Sequence, residues 1–171
     1  MNRLEGIKLP GLGQIGMVVY NAEKTMEQLK TMGIGPWMLW EGTPEFTIEK
    51  TGPVNASLKI LMAYSGSVQI ELIEVTSGRS YYNDTLDKRE GLHHLGYMVN
   101  NLEKRIEECK AAGIEVLQRG QIKSKGFTVD YAYMDTQSSC GVVIEFIQSK
   151  LGPLPLKMNR FTHTLACKLG I

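Results

Sequence analysis

Residues 12–34 read LGQIGMVVYNAEKTMEQLKTMGI, and residues 92–114 read LHHLGYMVNNLEKRIEECKAAGI. The two stretches align without a gap at an offset of 80, and ten of the 23 positions are identical. The identities include Gly16/Gly96, Asn21/Asn101, Glu23/Glu103 and Gly33/Gly113. A second pair lies further on. Val68–Ile73 (VQIELI) matches Val142–Ile147 (VVIEFI) at an offset of 74. The six-residue difference is extra length inside the first half. A repeat of this kind is read before any single element, because each copy is one structural unit. The chain divides into a first module over 12–76, a linker over 77–91, a second module over 92–148 and a tail over 149–171.

Each module has the same grammar. Ile15–Val19 and Leu95–Val99 are apolar runs of strand length. Asn21 and Asn101 follow as helix N-caps, with Glu23 and Glu103 in the first turn, where the helix dipole favours acids. Ala22, Met26 and Leu29 share one helical face, as do Leu102, Ile106 and Cys109. Gly33 and Gly113 supply the left-handed residue that ends a helix. Three strands follow in the second module: Val116–Gln121, Phe127–Met134 and Val142–Gln148. In the first, one strand is Trp37–Trp40 or Phe46–Ile48, and the others are Ser57–Tyr64 and Val68–Val75. The expectation is an α+β fold of two tandem βαβββ modules.

Composition narrows the function. The chain has 171 residues, 43% hydrophobic and 22% charged, as expected of one globular domain or two small packed modules. Nineteen basic and 18 acidic residues leave a net charge of +1. No field of one sign exists to hold nucleic acid or an anionic membrane. No apolar run reaches the length of a membrane span, and the N-terminal stretch has no signal-peptide core. The three cysteines, Cys109, Cys140 and Cys167, lack metal-type spacing and suit a reducing, cytoplasmic setting. The tail, with Gly152, Pro153 and Pro155, packs on this domain or on a second subunit of a homodimer.

Four polar residues break the apolar pattern at repeat-related places. Glu145 sits in a strand apolar on both faces, so a helix or sheet should cover it on both sides. A carboxylate there is costly unless paired, protonated or bound to metal. Glu71 is its repeat partner, although Gln69 and Glu74 nearby also suit a half-exposed strand. Gln14 aligns with His94. Successive strand residues face opposite ways, so His93 should point away from His94. If a pseudo-twofold axis relates the modules, Gln14, Glu71, His94 and Glu145 converge. One imidazole nitrogen and three oxygens suit a divalent ion such as Zn, Ni, Co, Mn or Mg.

This constellation on a repeated βαβββ module resembles the vicinal oxygen chelate superfamily. That group includes glyoxalase I, methylmalonyl-CoA epimerase, extradiol dioxygenases and the bleomycin- and fosfomycin-resistance proteins. The stretches Gly91–Asn101 (GLHHLGYMVNN) and Cys140–Phe146 (CGVVIEF) are similar to those of methylmalonyl-CoA epimerases. The resemblance covers residues 12–148 and implies a curled sheet around a metal cleft. It implies Gln14, Glu71, His94 and Glu145 as ligands. Gln14 departs from the epimerases, which have His there, and is similar to eukaryotic glyoxalase I. The resemblance also implies that Glu145 is the base that removes a proton next to a carbonyl, leaving an enolate held by the metal. The activity implied is an isomerase, epimerase or lyase acting on a small carbonyl or acyl-CoA substrate. A glyoxalase-type lyase and a binding protein of the resistance type are the alternatives. A second acid, needed by a two-base epimerase, would fall near Ser57–Ile60, where the chain offers Lys59. Trp37, Trp40 and the Gly35-Pro36-Trp37 turn either line a pocket or fill the core. Tyr81 and Tyr82 cover the cleft or simply pack. His163 has no evident partner.

Overall fold

The computed structural model describes residues 6–124, 126–156 and 158–169. In the first half, β1 (Gln14–Val18) leads to α1 (Ala22–Thr31), then β2 (Met38–Gly42), β3 (Phe46–Glu49), β4 (Gly52–Pro53), β5 (Ser57–Ser65) and β6 (Val68–Ser77). A short α2 (Tyr82–Leu86) precedes β7 (Gly91–Met98), α3 (Leu102–Ala111), β8 (Val116–Ser124) and β9 (Phe127–Met134). Next come α4 (Gln137–Cys140), β10 (Val143–Leu151), β11 (Leu154–Leu156) and α5 (Arg160–Leu169). Asn21 Oδ1 accepts the Lys24 amide and Asn101 Oδ1 accepts the Lys104 amide, so α1 and α3 start on the same side-chain cap. Gly33 (φ 82°) and Gly113 (φ 76°) follow their ends in the left-handed region.

All the strands form one curled, mixed sheet in an α+β fold. Its order is β2-β5-β6-β1-β7-β10-β9-β8-β3-β4, with β11 on β10. Within each half the first and last strands pair in parallel, β1 with β6 and β7 with β10. The halves meet through β1 and β7, which run antiparallel. Both segments considered for the second strand, 37–40 and 46–48, lie in strands, β2 and β3. They are not neighbours. The β3–β4 hairpin pairs with β8, at the far edge of the sheet from β2. Only Thr43–Glu45 joins them, so the two edges lie at most about 14 Å apart along that link. That hairpin curls the sheet into a half-barrel. Trp40 ties the same edges together by donating its indole N–H to the Lys123 carbonyl.

Alternation along the strands sorts the two faces. On β6 and β10, Leu72 and Phe146 point outward, Leu72 to the cluster that packs α1 and Phe146 to the one that packs α3. Gln69, Glu71, Glu145 and Ile147 point into the concave side. The stretch 77–91 carries the short helix α2. Tyr82 and Leu86 of α2 are buried in the core cluster with Tyr131 and Tyr133. The three cysteines form no disulfide, and no described helix is long and apolar enough to cross a membrane.

Candidate metal centre

The concave face gathers Gln14 from β1, Glu71 from β6, His94 from β7 and Glu145 from β10. Glu71, His94 and Glu145 offer ligand atoms all within 4.8 Å of one another, and all three are buried. His94 Nε2 lies 3.0 Å from Glu145 Oε2, 3.4 Å from Glu71 Oε2 and 3.3 Å from Gln14 Oε1. Glu145 Oε2 has no aligned hydrogen-bond donor despite that short distance. Three oxygens surrounding one imidazole nitrogen, with a buried carboxylate oxygen left unsatisfied, fit a divalent cation.

Two glycines make the convergence possible. Gly16 lies opposite His94, and Gly96 lies opposite Gln14, in the β1–β7 register. A Cβ on Gly16 would fall 1.8 Å from His94 Cε1. A Cβ on Gly96 would fall 2.7 Å from Gln14 Oε1 and 2.9 Å from Gln14 Cβ. Each half therefore leaves a bare backbone over which the other half lays its polar side chain. The same glycines neighbour the acids, with Glu71 beside Gly16 and Glu145 beside Gly96 in the parallel registers.

Two residues overlooked by sequence reasoning hold the donors in place. Gln69 is buried and accepts a 2.9 Å hydrogen bond from Gln14 Nε2. That contact turns Gln14 Oε1 toward His94. The signal was a polar residue two places before Glu71, hence on the same strand face, where the repeat partner is Val143. His93 is the second, and here strand alternation misled. A bulge pairs Met17 with Leu92 and Gly16 with His94, leaving His93 as the extra residue. Both imidazoles then lie on one side, with Nδ1 atoms 2.9 Å apart. His93 packs edgewise against Tyr81, Tyr82 and Tyr133. Burial, and then His94, push its pKa well below the usual range. A neutral His93 Nδ1 accepts from His94 Nδ1–H, which directs His94 Nε2 to the centre.

The charges are strongly coupled. Burial works against a protonated His94, but Glu145 and Glu71 outweigh it and raise its pKa to about 9. Burial raises the pKa of Glu145; His94 opposes this and Glu71 adds to it. Without a cation, an imidazolium proton on Nε2 occupies the place between the oxygens. Lys59 takes no part, because its ammonium pairs with Glu23 on the helix side at 3.0 Å. Trp37, Trp40 and Tyr82 line the cavity beside the centre. His163 lines it too and has a partner after all: its Nε2 donates to the Pro36 carbonyl at 3.1 Å.

The family model for the glyoxalase/bleomycin resistance protein/dioxygenase superfamily matches residues 13–133. The chain belongs to this superfamily. Solved structures with the same fold include hypothetical protein BH1468 from Bacillus halodurans C-125, 25% identical, with a TM-score of 0.55 over 80% of this chain and 91% of that one. Methylmalonyl-CoA epimerase from Mycobacterium tuberculosis is 19% identical, with a TM-score of 0.55 over 81% and 87%. A Streptomyces coelicolor methylmalonyl-CoA epimerase in complex with 2-nitronate-propionyl-CoA is 17% identical, with a TM-score of 0.57 over 82% and 97%. A search of curated protein sequences finds no match.

Proposed function

We propose that this superfamily member is a metal-dependent isomerase, epimerase or lyase that removes a proton next to a substrate carbonyl. The observation that carries this reading is the buried set around His94 Nε2, with Glu145 Oε2 unsatisfied 3.0 Å away. Gln14, Glu71, His94 and Glu145 would hold the ion. When bound, a divalent cation supplies Lewis acidity toward the carbonyl oxygen and balances the charge that grows there.

The chain's own residues supply the rest. Glu145 Oε2 is the base that takes the proton. Burial raises its basicity, while the charge of a bound cation would keep it ionised. His93 and Gln69 fix the orientation of His94 and Gln14. The aromatic and aliphatic walls exclude water from the abstracted position. Within Ser57–Ile60, where the second acid of a two-base epimerase was sought, Ile60 lines the cavity and Lys59 is turned away. That stretch supplies no second carboxylate, which favours an isomerase or lyase over an epimerase with its second acid there. The free thiols, Cys140 exposed among them, suit a cytoplasmic protein.

Solvent deuterium entering the carbon next to the carbonyl tests this reading. Metal-loaded wild type should exchange that proton in a panel of keto and acyl substrates. Glu145→Gln, which keeps an oxygen ligand, should retain most of the metal and exchange at least about 100-fold more slowly. Exchange at the wild-type rate in metal-loaded Glu145→Gln moves the base elsewhere. No exchange across the panel leaves a protein that binds without turnover.

A further inference from the structure

The family model ends at residue 133 and the internal repeat at 148. The S. coelicolor epimerase is covered over 97% of its length while matching only 82% of this chain. This chain therefore carries an addition, and its C-terminal segment lies outside both the family model and the repeat. That segment folds back over the cleft. β11 pairs with the end of β10, Ser149 with Leu156. On α5, His163, Ala166 and Cys167 lie at i, i+3 and i+4, one helical face, and all three line the cavity with Leu156 and Met158. His163 pins this face down. Its Nε2–H reaches the Pro36 carbonyl, and its ring stands edge-on to Tyr64 with centroids 5.2 Å apart. Tyr64 is one two-residue step, about 7 Å, along β5 from Met62, the residue opposite Glu71.

The space between this segment and the sheet has a volume of about 340 Å³, near the lower end for a small-molecule site. Its polar end is Gln14, Gln69, Glu71 and Glu145. Most of the remaining wall is aromatic, methionine or aliphatic, and the described lining residues include no Lys or Arg, with Glu71 and Glu145 the only carboxylates among them. Tryptophans 37 and 40, the chain's only two, stand in that wall.

We propose that the C-terminal segment roofs the cleft into an apolar chamber, and that its ligand is a compact carbonyl compound with an aromatic or branched aliphatic body. A nucleotide-bearing thioester does not match it, because the phosphates would find no cation among the described walls and the nucleotide would have to lie outside. The carbonyl head rests on the function proposed above. The apolar body rests on the chamber alone.

The test uses the full-length protein with N-phenylnaphthylamine, a neutral apolar fluorophore that needs neither metal nor turnover. Energy transfer from Trp37 and Trp40 should report its binding. Ala166→Phe, which pushes a ring into the chamber from the roof, should weaken binding about tenfold or more. Leu156→Phe does the same from a half-buried edge and decides the matter if Ala166→Phe does not fold. Phe161→Ala, on the outer face of α5 where Phe161 is 77% exposed, should change nothing. Acetophenone should displace the probe at lower concentration than propionyl-CoA. Unchanged transfer in the folded, filled variants, or loss in Phe161→Ala, places the probe outside and overturns the chamber. Stronger displacement by propionyl-CoA overturns the ligand class. Because the assay involves no exchange, its failure is separate from failure of the proton-abstraction reading.

Discussion

The two halves place their polar groups by the same device and support them by different ones. Gln14 and His94 each lie over a glycine of the opposite half. Gln14 is then steadied by a neighbour across the parallel pair, Gln69. His94 is steadied by its own sequence neighbour, His93, which a bulge swings round. The repeat positions of those supports, Val143 and Gly13, carry no polar group. Symmetry is kept where backbone geometry demands it and lost where the chemistry of an amide and an imidazole differ. An amide needs its NH₂ occupied so that its oxygen faces inward. An imidazole needs its Nδ1–H occupied so that Nε2 faces inward.

The largest test of this comparison removes the donors themselves. His94→Ala should lower divalent-metal affinity by at least about 10³-fold, and Glu71→Ala and Glu145→Ala should also lower it sharply. Gln14→Ala should cost only about tenfold, since a neutral amide oxygen is a weak ligand. Metal content after dialysis, measured by elemental analysis, reads the difference. Stoichiometric metal in His94→Ala would sink the assignment.

The glycines come next. Gly16→Ala puts a methyl 1.8 Å from the His94 ring, with the ring enclosed and unable to retreat. Overpacking there should destabilise the fold by about 3 kcal/mol and reduce metal binding. Gly96→Ala meets the Gln14 amide tip at 2.7 Å, with Gln14 Cβ at 2.9 Å and Ile147 Cδ1 at 3.0 Å. The amide tip can rotate away, but Gln14 Cβ is fixed to the β1 backbone, so the strand must shift slightly and about 2 kcal/mol is expected. Denaturant unfolding of both variants should rank them in that order. Equal costs would mean that the two cradles are not the constraint the register suggests.

A pH test follows from the raised pKa of His94, about 9 in the metal-free fold against about 6.5 unfolded. Between these values the folded state holds a proton that the unfolded state has lost. Stability from this group is fully present below pH 6.5 and is lost as pH rises through 9. Chelator-treated protein should therefore lose roughly 3 kcal/mol from pH 6.5 to 9, to order of magnitude. His93, with its pKa lowered, acts below that window, where its stabilisation fades as pH falls. His94→Gln should flatten the slope. A slope that survives the substitution assigns it to another group.

The sequence disclosed the repeat, both Asn caps, the glycine helix ends and the apolar faces, because each of these is a local pattern. It also disclosed which four side chains occupy symmetry-matched strand positions. What it hid depends on long-range pairing. Nothing in Phe46–Glu49 announces that it will cross to β8 rather than extend β2's edge, although three linking residues then force the curl. The bulge at His93 hid because strand alternation assumes an even register. That the tail packs was legible, but not where, because α5 faces a surface that exists only after the halves have folded.

The smallest and sharpest test exchanges the supports. Gln69→Val gives the first half the residue that the second half has at Val143. It removes the partner of Gln14 Nε2, so the amide is free to turn its NH₂ toward the carboxylates, and metal affinity should fall by about threefold, less than for Gln14→Ala. Gln14→His alone keeps Gln69 and supplies a second imidazole, which should match or exceed wild-type affinity. The double variant decides between support and packing. An imidazole does not depend on an acceptor at Gln69 to expose a ring nitrogen, so Gln69→Val should cost less in the Gln14→His background than in wild type. Binding isotherms for the four proteins close a double-mutant cycle. A coupling near zero would mean that Gln69 merely fills space, and that the first half holds its donor without the polar contact at 2.9 Å.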